Sequence, residues 1–334
     1  MKIGVVGFGY WGPNLVRNFQ GTPSVEGVVC YDSSEKRLAL AKQKFPSLET
    51  AKTYDELLNR KDVTAIAIAT PVSTHHPLGL KALQAGKHLL LEKPMAESAE
   101  QCKQLIDLAE KNKLVLMVDH TFVYTGAVRK VKELVDDGRL GEIMYFDSVR
   151  VNLGLFQHDT NVVWDLAPHD LSIMDYIIGQ EPTGVSAVGT KHFSDKEDIA
   201  YITVRYGNQL LAHFHVNWMS PVKVRKILIG GSKLMVVYDD MEPSEKIRVY
   251  DKGVDIKERE SIYKVLVQYR TGDMWAPRID LNEALSLMVG EFVDAIKTGR
   301  RPTTDGKSGL KVVKILEATQ LSLAQNGAMI PLTS

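Results

Sequence analysis

Residues 1–120 are expected to form an α/β doubly wound parallel sheet, and residues 121–334 an α+β domain built on an antiparallel sheet. Three observations predict this. Strand-length apolar runs alternate with helix-length amphipathic stretches through the first third of the chain, the pattern of consecutive βα units. Beyond about residue 120 strand periodicity dominates, and Gly207-Asn208 between two alternating runs is a hairpin signal. A chain of 334 residues exceeds one ordinary domain and leaves each of two long enough to bury a core.

In chain order, Ile3–Val6 reads as the first strand, with a helix opening at Gly12. A strand at about 25–31, a helix at 35–45, a short helix over Tyr54–Asn59 and the buried strand Ala65–Ala69 follow. Thr70-Pro71 breaks the chain, Ser73–Ala85 reads as a helix ended by Gly86, and His88–Leu91 is the next strand. Ser98–Lys111 is helical, and Leu114–Val118 closes the series. One basic helix, Thr125–Asp137, ends at Gly138. Strand patterns then occupy Glu142–Asn152, Val185–His192, Ile199–Tyr206, Leu210–Trp218, Val224–Ile229 and Leu234–Tyr238. Helical stretches around Asp165–Ile178, near 281–298 and near 307–325 interrupt them.

Gly7, Gly9 and Gly12 spell G-x-G-x-x-G between the first strand and the first helix, which is the context a dinucleotide site requires. Gly7 permits a tight turn, Gly9 lets backbone approach a pyrophosphate, and Gly12 lets helix and strand pack closely. The phosphates would sit on free N–H groups at the helix N-terminus. Asp32, twenty residues past Gly12, is placed to accept from the adenosine ribose hydroxyls. A 2′-phosphate there would meet a carboxylate, so NAD is expected rather than NADP, although Lys36 and Arg37 lie near enough to shelter a phosphate.

Balanced charge, 41 basic against 41 acidic side chains, gives no field to draw the protein to nucleic acid or an anionic membrane. A small-molecule partner is expected. Cys30 and Cys102 form no C-x-x-C and no framework, which points to a cytoplasmic protein. The glycine-broken N-terminal run is too short for a signal segment, and no run of eighteen apolar residues occurs. His213 and His215 share a strand face and His75 and His76 are adjacent, but no carboxylate or cysteine completes either set, so no metal is expected.

Two segments carry candidate chemistry. Glu92-Lys93-Pro94 follows a strand of the parallel sheet and so sits at its carboxyl end, where such sheets bind ligands. Pro94 biases Lys93 to extended backbone, and its ammonium could hydrogen-bond a substrate hydroxyl and favour the alkoxide. On spacing alone a solvated surface lysine is as good a reading. Asp165 and His169, four apart, face one way if the first turn of a helix runs through them with Pro168 tolerated there. The carboxylate can then orient the imidazole, which takes an alcohol proton near neutral pH. Taken alone, an Asp N-cap beside an incidental histidine is the commoner arrangement.

Together, GFGYWG, ATPVSTHHPLGLKALQAGKHLLLEKP, DDGRLGEI and DLAPHDLSIMDYIIG resemble the Gfo/Idh/MocA oxidoreductases over nearly the whole chain. The resemblance implies a Rossmann domain followed by an open-faced antiparallel sheet domain that serves substrate binding and oligomerisation. It implies that Lys93, Asp165 and His169 match the family's catalytic lysine, aspartate and histidine, with the histidine as acid/base. The expected cofactor site comprises Gly7, Gly9, Tyr10, Trp11, Gly12, Asp32, Arg37, Thr70, Pro71, His75, Glu92 and Lys93. His120, Tyr124 and Asn152 join Lys93, Asp165 and His169 as expected substrate contacts. Val162-Val163-Trp164 and Ala167 stand where family members often carry glycines.

The blocks VGFGYWGPNLVRNF and VNLGLFQHDTNVVWDLAPHD are similar to members acting on nucleotide-linked sugars in polysaccharide or lipid-sugar biosynthesis. That implies oxidation of the C3 hydroxyl of a UDP-N-acetylhexosamine, such as UDP-N-acetylglucosamine, to a 3-keto sugar. Arg129, Lys130, Arg150 or Lys223 could meet the diphosphate. A free aldose or inositol dehydrogenase is the alternative enzyme, and a non-catalytic NAD-binding regulator the alternative of another class. The presence of both Lys93 and His169 favours an enzyme. An antiparallel sheet with few helices to cover it leaves one face available, so a homodimer or homotetramer is expected.

Overall fold

The computed structural model describes residues 1–154, 160–251, 253–256, 267–270 and 272–332. Part of the block similar to nucleotide-sugar enzymes, residues 155–159, lies outside the described residues. The chain folds as two units, Met1–Tyr124 with Asn282–Lys314, and Thr125–Leu281 with Ile315–Ser334. A single boundary near residue 120 places all of the later chain in the second unit, whereas Asn282–Lys314 packs with the first. An amphipathic helix looks the same in sequence whichever core it covers.

In the first unit, strands β1 (Lys2–Val6), β2 (Gly27–Tyr31), β3 (Glu49–Thr50), β4 (Val63–Ile68), β5 (His88–Glu92) and β6 (Leu116–Asp119) form one parallel sheet in the order β3-β2-β1-β4-β5-β6. Helices α1 (Gly12–Gln20), α2 (Glu35–Lys44), α3 (Tyr54–Asn59), α4 (His75–Gln84) and α5 (Ala99–Lys111) connect the strands. This is a Rossmann sheet. Its central strands are buried on both faces, so their sequences are nearly continuous apolar runs; Ile3, Val5, Ile66, Ile68, Leu89 and Leu91 are all fully buried. Ser34, Thr53 and Ser98 cap α2, α3 and α5 through their side chains.

The second unit opens with α6 (Gly126–Asp136), β7 (Ile143–Leu153) and α7 (Val162–Ile178). Strands β8 (Gly184–Thr190), β9 (Ile199–Tyr206), β10 (Leu210–Asn217), β11 (Met219–Gly231), β12 (Met235–Asp239) and β13 (Ile247–Tyr250) follow, then the pair β14 (Gly253–Ile256) and β15 (Val267–Arg270), and β16 (Met274–Trp275). Helices α8 (Ala284–Thr298) and α9 (Gly306–Ala324) and strand β17 (Ile330–Pro331) complete the chain; α8 belongs to the first unit, and the division falls inside α9. Nine of these strands make one sheet, ordered β16-β13-β12-β11-β7-β10-β9-β8-β17.

That sheet is antiparallel except where β10 runs parallel to β7. The exception follows from connectivity, because β10 arrives beside β7 only after α7 and two further strands. Gly207 adopts φ +58° in the β9–β10 hairpin, the left-handed backbone that the Gly-Asn turn foretold. Helix α7 packs on β7, β9 and β10. Alternation in β10 sends Leu210, Ala212, Phe214 and Val216 into this core. On the other face Leu211 and Tyr201 are 43% exposed and Val188 54%. Tyr201 stacks on His215 with ring centroids 4.5 Å apart. Strands of two to four residues such as β3, β13, β16 and β17 went unforeseen because so short a run shows no period. Among the described residues no helix is long and apolar enough to cross a membrane.

Candidate functional site

The glycine loop follows from sterics. Gly7 holds φ +95°, and a Cβ there would lie 2.5 Å from the Ala69 carbonyl oxygen; a Cβ on Gly12 would lie 2.0 Å from the Gly7 carbonyl oxygen. A Cβ on Gly9 would meet nothing nearer than an Arg37 nitrogen at 4.0 Å, so only something outside the protein needs that position bare. Helix α1 begins at Gly12 with no side-chain cap and no acid in its first turn. Its N–H groups and positive dipole end suit a pyrophosphate.

Asp32 directly follows β2 and is 6% exposed. Its Oδ2 accepts the Phe8 backbone N–H at 2.7 Å and its Oδ1 that of Ser34 at 2.8 Å, tying the glycine loop to the start of α2. Arg37 lies 3.7 Å from the same carboxylate. Each carboxylate oxygen keeps a second lone pair for a ribose hydroxyl. Tyr10 is 92% exposed and lies over Trp11 with near-parallel rings, 6.5 Å between centroids. Trp11 reaches across to β6, where its indole N–H donates to Asp119 Oδ2 at 2.9 Å. The other oxygen of Asp119 accepts the Thr121 hydroxyl.

Thr70 and Pro71 follow β4 on the carboxyl side of the sheet. His75 is 1% exposed; its Nε2 lies 2.8 Å from the Thr70 carbonyl and its Nδ1 3.0 Å from the Pro94 carbonyl. It therefore links the Thr70 loop to the Lys93-Pro94 turn. Burial pushes its imidazolium down.

Glu92 and Asp119 are register partners at the ends of β5 and β6. Burial, and then the neighbouring Asp119, push the Glu92 carboxyl well above its usual range. Glu92 Oε1 is buried without a hydrogen-bond partner among the described residues, and so are both ring nitrogens of His120. Burial, with the Lys93 charge behind it, pushes His120 down to about 3. A buried polar atom without a protein partner asks for a ligand or water. The bare Gly9, the uncapped α1 and these orphaned atoms at the same carboxyl edge fit a dinucleotide, held by the glycine loop, Asp32 and Glu92. Tyr124 is different: it is fully buried, with its hydroxyl 3.1 Å from that of Thr304, and offers a ligand no surface.

In the second unit α7 starts at Val162, capped by Asn161, whose side-chain oxygen accepts the Trp164 N–H at 3.1 Å. Asn161 Nδ2 donates to Glu197 and to Gln320, both at 2.8 Å. Asp165 is consequently not the cap, and Pro168 lies inside the helix rather than in its first turn. The Trp164 carbonyl gains no N–H from residue 168, which Pro168 lacks. Asp165 and His169 share a helical face, and Asp165 Oδ2 accepts the Trp218 indole N–H at 3.0 Å. Trp218 and Asp119 carry no signal of this in the sequence, since each meets a partner far along the chain. Asn152 is half-buried near the end of β7.

Of the basic groups considered for a diphosphate, Arg150 is buried and committed, its Nε and Nη2 donating to Asp170 at 2.9 and 2.7 Å. This pair fastens α7 to β7 beside His169. Lys130 pairs with Glu133 on its own helix, and Lys223 is exposed on β11. A cavity of about 330 Å³ in the first unit, lined by His88, Ile106, Leu116 and Arg301 among others, holds none of the expected site residues. It opens at the amino ends of β5 and β6, opposite the edge just described.

Comparison with known proteins agrees with this architecture. Residues 1–120 match the family model described as an oxidoreductase family with an NAD-binding Rossmann fold, and residues 128–237 match the Gfo/Idh/MocA C-terminal domain. The UDP-N-acetylglucosamine 3-dehydrogenase of Acidithiobacillus ferrooxidans is 27% identical over 333 residues, spanning 94% of each chain. The solved structure of that enzyme, GnnA, superposes with a TM-score of 0.81 at 25% identity, covering 97% of this chain and 98% of its own. A levoglucosan dehydrogenase in complex with NADH and levoglucosan has a TM-score of 0.84 at 20% identity, covering all of both chains, and so shares the fold. With both family models matched in order, and a glycine loop whose one sterically open position is the one a pyrophosphate needs, the chain belongs to the Gfo/Idh/MocA oxidoreductases and is an NAD-dependent enzyme.

Proposed function

We propose that the protein oxidises a secondary hydroxyl of a nucleotide-linked sugar, the C3 hydroxyl of UDP-N-acetylglucosamine or a close relative, giving a 3-keto sugar. The observation that carries this reading is the end-to-end similarity to an enzyme named for that reaction, in a chain that keeps Lys93 after β5 and Asp165 with His169 on one face of α7. NAD, when bound, supplies the acceptor for the carbon-bound hydrogen and its electron pair. His169 removes the hydroxyl proton as general base, and Asp165 orients its ring. The Lys93 ammonium donates a hydrogen bond to the same oxygen as negative charge develops there. Glu92 and Asp32 hold cofactor hydroxyls, and His120, kept neutral by its burial, can donate to or accept from a substrate without adding charge. The second unit binds the sugar, and the uncovered face of its sheet joins copies into a homodimer or homotetramer.

The test mixes purified protein with NAD and UDP-N-acetylglucosamine in mildly alkaline buffer and follows nicotinamide absorbance, beside free N-acetylglucosamine, glucose and myo-inositol. NADH formed only with the nucleotide sugar is the expected result. Reduction with a free sugar or polyol alone would make the protein an aldose or inositol dehydrogenase and end the nucleotide-sugar reading.

A further inference from the structure

Trp11 lies in the turn from β1 into α1, and the acceptor of its indole N–H, Asp119, ends β6. In the sheet order β4 and β5 stand between those two strands. The 2.9 Å hydrogen bond therefore closes a bridge over three strand spacings of about 4.8 Å each. The strand ends within that interval carry Thr70 and Pro71, after β4, and Glu92, at the end of β5. Asp32, after β2, marks the adenosine side of β1, so the β4–β5 side of the switch point receives the nicotinamide half of a dinucleotide.

Both posts of the bridge are anchored. The Trp11 carbonyl accepts the N–H groups of Asn14 and Leu15 at 2.9 and 3.4 Å, so its main chain is the start of α1. Asp119 is 3% exposed, and its second oxygen accepts the Thr121 hydroxyl. An indole N–H can only donate, and here it donates to a carboxylate, one of the stronger hydrogen bonds available to it. Tyr10, which lies over the indole, is 92% exposed and so offers little resistance to an outward swing of the ring.

A cofactor held by the glycine loop at one end and by Glu92 at the other has to share the interval that the bridge spans. We infer that the Trp11–Asp119 hydrogen bond is a strap across the nicotinamide half of the cofactor groove, closed with and without cofactor and broken only while cofactor enters or leaves. It concerns cofactor exchange and holds whichever sugar is the substrate. A bond made in the empty and the loaded protein, but lost at the top of the barrier between them, slows both directions equally. Its removal should raise the association and dissociation rates by one common factor. A side chain that merely touches the cofactor behaves differently, because its loss speeds dissociation alone and raises Kd in proportion.

The experiment follows NADH fluorescence by stopped flow in wild type, Trp11→Phe, Asp119→Ala and Trp11→Phe/Asp119→Ala. In Trp11→Phe both rates should rise together by about ten-fold or more, as for a lost hydrogen bond to a charged group. In the Asp119→Ala background, Trp11→Phe should change neither rate further, since the bond is already gone. Should phenylalanine disturb the fold, benzothienylalanine at position 11 removes the N–H at constant volume and takes its place in every comparison. A readout independent of exchange is the Trp11 indole N–H resonance, assigned by its loss in Trp11→Phe, which should exchange slowly with water in cofactor-free and NADH-loaded protein alike. Wild-type rates in Trp11→Phe, faster dissociation alone, or an indole N–H protected in only one of the two states would overturn the inference.

Discussion

At the residue scale the fold buries a few polar atoms of the candidate site, Glu92 Oε1, both His120 ring nitrogens and His169 Nδ1, without a hydrogen-bond partner among the described residues. His169 is the test case for catalysis: His169→Ala should lower turnover by about 10²–10⁴-fold with NAD affinity unchanged, measured by steady-state kinetics and cofactor titration. Retained turnover would take the base role away from it. Lys93, Asp165 and His169 stand out in the sequence because their neighbours repeat a family pattern, and the i, i+4 spacing did place the last two on one helical face. Trp218 was not readable. As the last member of an alternating apolar run it looks like core, and it is core; its N–H acquires meaning only from a carboxylate 53 residues away in sequence. His75 shows the converse, a residue named for the cofactor site whose two ring nitrogens both face carbonyls of the protein itself.

At the element scale, the turn from β1 into α1 separates two kinds of glycine. Gly12 is needed by the fold, because any Cβ would press on the Gly7 carbonyl; Gly9 faces open space. Gly12→Ala should therefore lower the urea midpoint, by an overpacking cost of about 1–3 kcal/mol, and abolish NAD binding with it. Gly9→Ala should keep the wild-type midpoint while weakening NAD in a fluorescence titration. Wild-type NAD affinity in Gly9→Ala would mean that the pyrophosphate does not approach there. The start of α7 teaches a related lesson. Asn161 rather than Asp165 caps it, so the helix begins at Val162 and draws Pro168 into its interior. That cap sits directly beside the apolar run Val162-Val163-Trp164, the position where an N-cap is legible in sequence.

At the scale of the whole molecule, buried histidines and a buried carboxyl make stability depend on pH in opposite directions. His120 is pushed down to about 3, and burial lowers His75, His88 and His215 as well. Between their ordinary range near 6.5 and those lowered values the unfolded chain binds more protons than the folded one, so stability should fall as pH drops below about 6.5. Glu92, raised, holds its proton in the folded state and contributes stability that is lost as pH rises from about 4.5 through its raised value. Urea unfolding at pH 7 and pH 5 should show the net loss in acid, and His120→Asn should lose less than wild type; an equal loss would remove His120 from the account. The uncovered sheet face, with Leu211, Tyr201 and Val188 exposed, should produce a dimeric or tetrameric mass by light scattering at micromolar concentration. Tyr201→Glu should reduce that mass, and a strictly monomeric wild type would contradict the proposed assembly.

The amino-acid order alone determined the βα alternation, the glycine turn, the acid after β2 and the shift to strand periodicity, because each depends on neighbours a few residues apart. It also determined the β9–β10 hairpin, through the backbone freedom of Gly207. Tertiary structure alone decided that β10 lies parallel to β7, that Asn282–Lys314 joins the first unit, and that Arg150 spends its guanidinium on Asp170 instead of facing a ligand. It alone brought an indole to Asp165 and left Glu92 Oε1 and His120 without protein partners among the described residues. The physical reason is common to all of these: local periodicity records which face of an element is buried, whereas a hydrogen bond or its absence depends on which distant side chain the packed core delivers to that face.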